Sequence, residues 1–245
     1  MTDFFKNPNL PDRNVTLAIC GRHNEVVTDF IHSFGIELIF TEDCLSVDKP
    51  IINHADIVVH HAGGKNIIID KLQHELYKIL KSIGMTVIKT DRAVACPYPQ
   101  DCILNCLKIN DALFCKENII DNTIANAYND YKIANVNQGY CKCSTLLLND
   151  RSFITDDISI YNKGKELSFN CILISKGDIK LNGYDYGFIG GASAKISNDE
   201  IVFFGDITKH KDFTLIDSFI KKLNMKYFYS DEFPLTDIGG LIQLK

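Results

Sequence analysis

Along the chain, segments with apolar residues at helical spacing take turns with short apolar runs bounded by turn residues. Val27, Phe30, Ile31 and Phe34 recur at intervals of three or four, as do Leu72, Leu76, Ile79, Leu80 and Ile83, and again Phe213, Ile216, Ile220 and Leu223. Each set predicts an amphipathic helix with one face to bury. Each helix runs into the same kind of junction: Phe34-Gly35-Ile36-Glu37-Leu38-Ile39-Phe40, Ile83-Gly84-Met85-Thr86-Val87-Ile88 and Leu223-Asn224-Met225-Lys226-Tyr227-Phe228. Gly or Asn at the helix end tolerates the left-handed backbone that stops a helix, and the residues after it read as a strand.

A second unit precedes the helices. Residues 104–114, 143–154 and 192–204 each read as two short strands around a tight turn, with Asn110-Asp111, Asn149-Asp150 and Asn198-Asp199 at the turns. Asn and Asp accept the backbone such turns need. Residues 57–69 fit the same unit with 61–65 as the loop, which puts His60 and His61 on an exposed hairpin. Four strand-strand-helix-strand modules follow, starting near residues 54, 100, 140 and 187.

The ends of the chain supply a fifth. Ile238-Gly239-Gly240 repeats the Ile189-Gly190-Gly191 opening of the module before it, but has no second strand or helix after it. The N-terminal part begins with that missing half: residues 15–20 as strand, 24–34 as helix and 36–40 as strand. Joining the two ends closes a ring and removes the open sheet edges of a linear array. The expectation is one α/β domain over residues 1–245, a closed five-module αβ-propeller, with 48–50, 96–99 and 176–178 as internal connections.

Composition adds a setting. With 46% hydrophobic and 23% charged residues, the chain has ample material for a core. Nine cysteines without a C-x-x-C, and a polar start with no apolar leader, predict a reduced, cytoplasmic protein. The apolar runs are too short to cross a bilayer. A net charge of −5 argues against a nucleic-acid partner.

Five such modules in a ring resemble the pentein fold, shared by arginine deiminases, amidinotransferases, dimethylarginine hydrolases and the ribosome anti-association factor. The resemblance spans nearly the whole chain. QGYCKCS around Cys141 and Cys143, YGFIGGAS from Tyr186 to Ser193, GDITKH from Gly205 to His210 and the terminal DIGG are similar to an uncharacterised bacterial family assigned to this guanidino-group-modifying fold.

The resemblance implies a nucleophilic Cys, a His in an H-x-D motif and a carboxylate beside a glycine pair, all meeting at the ring's centre. The chain's end, where the Cys of the catalytic members usually sits, has none here. Shifted around the ring, the set recurs: His54-Ala55-Asp56 opens one module, Cys143 lies two modules later, and Asp237-Ile238-Gly239-Gly240 lies one module earlier. Ile238 holds the place of the acid, so Asp237 has to serve from one residue further off, on the opposite face if the strand has begun.

In chemical terms, a thiol with an ordinary pKa of about 8.5 needs a cation or base beside it, and His54 suits both base and acid roles. The thiol of Cys143 is therefore expected to have a lower pKa than buried structural thiols such as Cys171. Asp56 and Asp237 suit the fork of donors on a guanidinium. On a strand that starts at these residues, Cys141 would share the face of Cys143, so either thiol qualifies. Gly190, Gly191 and Ser193 (close backbone approach) and Asp206 and His210 (four apart at a helix entry) are candidate substrate contacts. Asp206 and His210 also read as an N-cap and a surface His, and Asp156-Asp157 as helix caps. No metal-ligand spacing and no cofactor motif stands out, since the C-x-C has no second Cys/His pair.

Two functions fit this pattern. One is a cysteine-dependent hydrolase or transferase acting on a small guanidino or amidine compound through a covalent thiol intermediate. The other is a non-catalytic pentein that binds a protein partner or small ligand.

Overall fold

The computed structural model describes residues 3–245. Its strands fall into five three-stranded sheets, one per module. In the second module, β3 (Val59–Gly63) lies antiparallel to β4 (Asn66–Ile69), and β4 parallel to β5 (Thr86–Lys89). The third repeats this with β6 (Leu107–Ile109), β7 (Ala112–Cys115) and β8 (Lys132–Asn135). The fourth has β9 (Thr145–Asn149), β10 (Ser152–Thr155) and β11 (Asn170–Leu173), and the fifth β12 (Ser193–Lys195), β13 (Glu200–Phe203) and β14 (Lys226–Phe228). A helix connects the two parallel strands of each module, as a parallel pair requires.

The first module is assembled from both ends of the chain. β1 (Leu17–Cys20) is parallel to β2 (Glu37–Phe40) and antiparallel to β15 (Ile242–Gln243), with Ala18 opposite Gln243 and Ile19 opposite Ile242. Further backbone bonds tie the tail down: Leu244 O accepts from Phe5 N, and Lys245 O from Thr16 N and Leu17 N. First strands of neighbouring modules pack side by side, β9 with β12 and β15 with β3.

The local signals work as their chemistry requires. Gly35, Gly84 and Asn224 all have positive φ at the helix-to-strand junctions, and Asn110 does so in its hairpin. The helices Glu25–His32, His74–Ser82 and Phe213–Lys222 bury Val27 and Ile31, Leu76 and Leu80, and Ile216, Phe219 and Ile220. Each such side chain contributes about 1.5–3 kcal/mol by leaving water. Leu72 and Ile79 remain exposed, because Leu72 precedes the helix and Ile79 sits at the edge of its stripe.

Two local expectations need correction. The second hairpin is shorter and tighter than the pattern suggests: β3 runs through His60 and His61 to Gly63, so both histidines are buried. His60 Nε2 shares a 2.7 Å hydrogen bond with the Tyr128 hydroxyl, and burial pushes its pKa down to about 3. The strands that follow His54 and Cys143 also start later than expected, at Val59 and Thr145.

No helix of the described residues is long and apolar enough to cross a membrane.

Candidate active site

Each module sends the residues just before its first strand to a common meeting place. Asn105, Cys143, Gly191 and Gly240 all stand two positions ahead of their strands, and His54 caps the one-turn helix Ala55–Val58 that precedes β3. Side chains in these turns are not bound by strand alternation. The contacts run around the ring. Gly191 O accepts from Ile238 N and Gly240 N, and Cys143 O accepts from Gly190 N at 2.7 Å and Gly191 N at 3.1 Å. Asn105 Oδ1 accepts from Lys142 N and Cys143 N at 2.9 and 3.1 Å, while its Nδ2 donates to Asp56 O at 2.9 Å. The circuit closes where Gly239 lies against His54: a Cβ on Gly239 would come within 2.6 Å of His54 Cα.

Within this circuit the thiol of Cys143 donates to Asp56 Oδ2 at 2.9 Å and accepts from Asn105 Nδ2 at 2.9 Å. Lys142 Nζ stands 3.8 Å from the same Asp56 oxygen, and Asp56 Oδ1 has no partner. His54 Nδ1 is 3.7 Å from Asp237 Oδ1. Asp237 is fixed in turn by Phe188 N, which donates to Oδ2 at 2.9 Å, and Gly239 N, which donates to Oδ1 at 3.0 Å. Gly191 makes that placement possible, since a Cβ there would sit 1.9 Å from Asp237 Oδ1.

His54, Cys143 and Asp237 share the floor of a cavity of about 270 Å³. Its walls are apolar and aromatic, including Ile51, Ile57, Leu181, Tyr140, Tyr186 and Phe188. Such a cleft, mostly apolar with a few convergent polar groups, has the build of a small-molecule site.

A model of a family of unknown function, DUF6873, matches residues 18–242. The chain belongs to this family. The DUF6873 chain also superposes on solved structures over most of its length. The inosamine-phosphate amidinotransferase of Streptomyces griseus matches with a TM-score of 0.59 at 11% identity, covering 98% of this chain and 97% of that one. Agmatine deiminase of C. jejuni with substrate bound gives 0.55 at 9% identity over 93% and 90%. An amidinotransferase of Microseira wollei from the saxitoxin biosynthetic pathway gives 0.54 at 10% identity over 90% and 91%. No curated protein sequence matches. These neighbours belong to the pentein superfamily, and the DUF6873 chain has the propeller-like pentein fold.

The DUF6873 fold thus brings four of the residues singled out from sequence, Cys143, His54, Asp56 and Asp237, to one place. Asp237 faces the cavity because residues 237–240 are irregular backbone ahead of β15, with Gly239 and Gly240 at positive φ, so strand alternation does not fix its direction. Cys141, in a turn and not on a strand, points elsewhere: it packs among Leu107, Phe114 and Phe153, and its thiol donates to Gln138 O.

The other candidates fall outside the cavity lining. Gly190 and Gly191 touch the backbone of Cys143 and the side chain of Asp237, so they position those residues. Ser193 donates to Ile189 O and borders a separate cavity of about 20 Å³ with Lys142 and Lys195. Asp206 N-caps the single 3-10 turn Ile207–Lys209, as a capping Asp does. His210 is buried, not a surface His, and its Nδ1 accepts from Asp212 N. Asp157 caps the helix Ile158–Glu166, but Asp156 turns inward, where its Oδ2 accepts from Ile189 N.

The electrostatics also depart from the sequence expectation. Burial, then the negative charges of Asp56 and Asp237 and the hydrogen bond to Asp56, push the Cys143 thiol well above the usual range, against the pull of Lys142. The resting group is a thiol, not a thiolate. Burial likewise raises the Asp56 carboxyl despite Lys142 and His54.

Asn105 and Lys142 were not apparent as site residues. The signal for Asn105 lay in the repeat itself, because it holds the same place before its strand that Cys143 holds before β9. Among the described residues, no group of three His, Cys, Asp or Glu is arranged to hold a metal.

Proposed function

We propose that this chain is a cysteine-dependent hydrolase or transferase acting on the guanidino or amidine group of a small molecule. One observation carries the reading: the cavity floor unites a thiol, an imidazole and a carboxylate from three modules, with a second carboxylate hydrogen-bonded to the thiol. A guanidinium entering there meets negative charge from Asp237 and Asp56. Its own charge lowers the thiol pKa that burial, Asp56 and Asp237 hold high, so substrate binding favours ionisation.

As Sγ bonds to the central carbon, the thiol proton passes to Asp56 Oδ2, and the thiolate and guanidinium charges cancel in a neutral adduct. His54, as imidazolium beside Asp237, then protonates the departing amine. The C–N bond breaks and leaves a cationic S-amidino intermediate on Cys143. Water in a hydrolase, or an acceptor amine in a transferase, adds to that carbon and gives a proton to His54. The C–S bond then breaks and Asp56 returns its proton to sulfur. A urea product gives its extra proton to the released amine through solvent, whereas a guanidinium product of transfer keeps it and the released amine takes up the proton that the acceptor ammonium shed before attack. Asn105 and the Gly190-Gly191 amides hold the nucleophile turn in place. Nine free thiols suit a reducing compartment, and we place the protein in the cytoplasm.

The test compares 2-chloroacetamidine with the neutral 2-chloroacetamide, followed by peptide mapping. The cationic reagent is expected to label Cys143 faster and selectively, with His54→Ala slowing it and Cys143→Ser abolishing it. Equal rates with the two reagents, or labelling spread over several thiols, would favour the non-catalytic ligand binder.

A further inference from the structure

Lining and mouth of this cavity carry a charge asymmetry that the proposed chemistry does not require. Besides Asp237 on the floor, Asp185 lines it near the exposed rim, and neither Lys nor Arg is among the lining residues. Two more carboxylates are bonded to the tyrosines of its wall. Asp48 accepts from the Tyr184 hydroxyl at 2.9 Å, and Asp101 accepts from the Tyr140 hydroxyl at 2.6 Å. Asp101 is buried, and its other oxygen has no partner.

Two lysines approach the wall: Lys176 lies 5.3 Å from the Tyr186 ring, and Lys116 lies 5.0 Å from the Tyr98 ring, which in turn packs on Tyr140. Neither lines the cavity. The wall is a continuous aromatic surface, with Tyr140, Phe188 and Tyr186 each 5.9 Å from the next.

A carboxylate on the far end of a substrate would leave water here, find no lining cation and face Asp185, all of which is unfavourable. An ammonium in the same place gains aromatic faces and a rim carboxylate. The volume, about 270 Å³, suits a small molecule and not a protein loop.

Building on the guanidino reading, we infer that the substrate is a small guanidine with a cationic far end and no carboxylate, of the ω-aminoalkylguanidine class, with Asp185 as the carboxylate that selects it. An α-amino acid bearing the same guanidino chain is rejected.

Arginine and 4-aminobutylguanidine differ only by the α-carboxylate, and butylguanidine lacks the amine as well, so the three separate the effects. Binding to the full-length protein is measured by calorimetry, and protection of Cys143 from 2-chloroacetamidine is measured in parallel. The expected order is 4-aminobutylguanidine tightest, then butylguanidine, then arginine, with about tenfold or more between first and last, a difference of about 1.4 kcal/mol. Asp185→Asn should close the gap between the first two and leave the third weak.

Arginine binding as tightly as 4-aminobutylguanidine, or an unchanged gap in Asp185→Asn, would overturn the assignment. If the guanidines bind in the expected order while Cys143 resists labelling, the catalytic reading fails and the ligand class stands. If no guanidine binds, both fail.

Discussion

The thiol of Cys143 and the carboxylate of Asp56, 87 residues apart in sequence, are joined by a 2.9 Å hydrogen bond at the centre of the ring. In the proposed mechanism, that bond makes Asp56 the immediate proton partner of the thiol and leaves His54, paired with Asp237, for the departing group.

Asn105 grips the turn of Cys143 through four bonds, to Cys143 Sγ, the amides of Lys142 and Cys143, and the carbonyl of Asp56. Asn105→Ala should slow labelling of Cys143 by 2-chloroacetamidine about tenfold or more, since small misplacements of a reacting atom cost that much. An unchanged rate with an unchanged melting temperature would remove Asn105 from the machinery.

Gly191→Ala puts a methyl group 1.9 Å from Asp237 Oδ1. Asp237 must move, so the cost should be about 1–3 kcal/mol of stability together with loss of selective labelling. Denaturant unfolding and labelling measured on the same preparation check both parts. Selective labelling that survives would show that Asp237 is not needed where it stands.

Asp156 titrates at about 8, pushed up mainly by burial, against about 3.9 for an unfolded Asp. The folded protein therefore holds a proton across that window that the unfolded chain has released. Its stability should fall as pH rises from about 4 to about 8, by up to about 1.4 kcal/mol per unit. Asp156→Asn keeps an acceptor for Ile189 N and should flatten that slope. A slope equal to wild type would assign the pH dependence to other groups.

The Tyr128 hydroxyl serves His60, away from the cavity. Tyr128→Phe leaves His60 Nε2 without this partner and should cost about 1–3 kcal/mol in unfolding free energy, with labelling of Cys143 unaltered. A fall in labelling without loss of stability would connect this pair to the site.

Deleting residues 242–245 removes β15 and the carbonyls that tie down Phe5, Thr16 and Leu17. The bared edge of β1 should make the protein aggregate, which light scattering would register. A monomeric variant with wild-type unfolding would mean that closure contributes little.

The module grammar was legible in the sequence because it rests on local physics. Gly35, Gly84 and Asn224 end helices by a backbone geometry their own side chains permit, and the stripes of Leu76, Leu80, Ile216 and Ile220 need burial wherever the chain goes. The half-modules at the two ends likewise announced that the C-terminal strand joins the module of β1, where Ile242 lies opposite Ile19. Repeat phase carried part of the site, since residues at one place in successive modules converge, as Asn105 and Cys143 do.

What the sequence could not determine depends on where strands begin and on what lies across the ring. A later start for β9 separates Cys141 from Cys143, and the positive φ of Gly239 and Gly240 goes with a non-strand backbone that lets Asp237 line the cavity. His60 and His61 read as exposed because a one-dimensional pattern does not show that Tyr128 waits for His60. The thiol's charge state was settled by burial and by Asp56, not by its histidine neighbour. Desolvation and Coulomb forces depend on distances through space, and only the folded chain sets those.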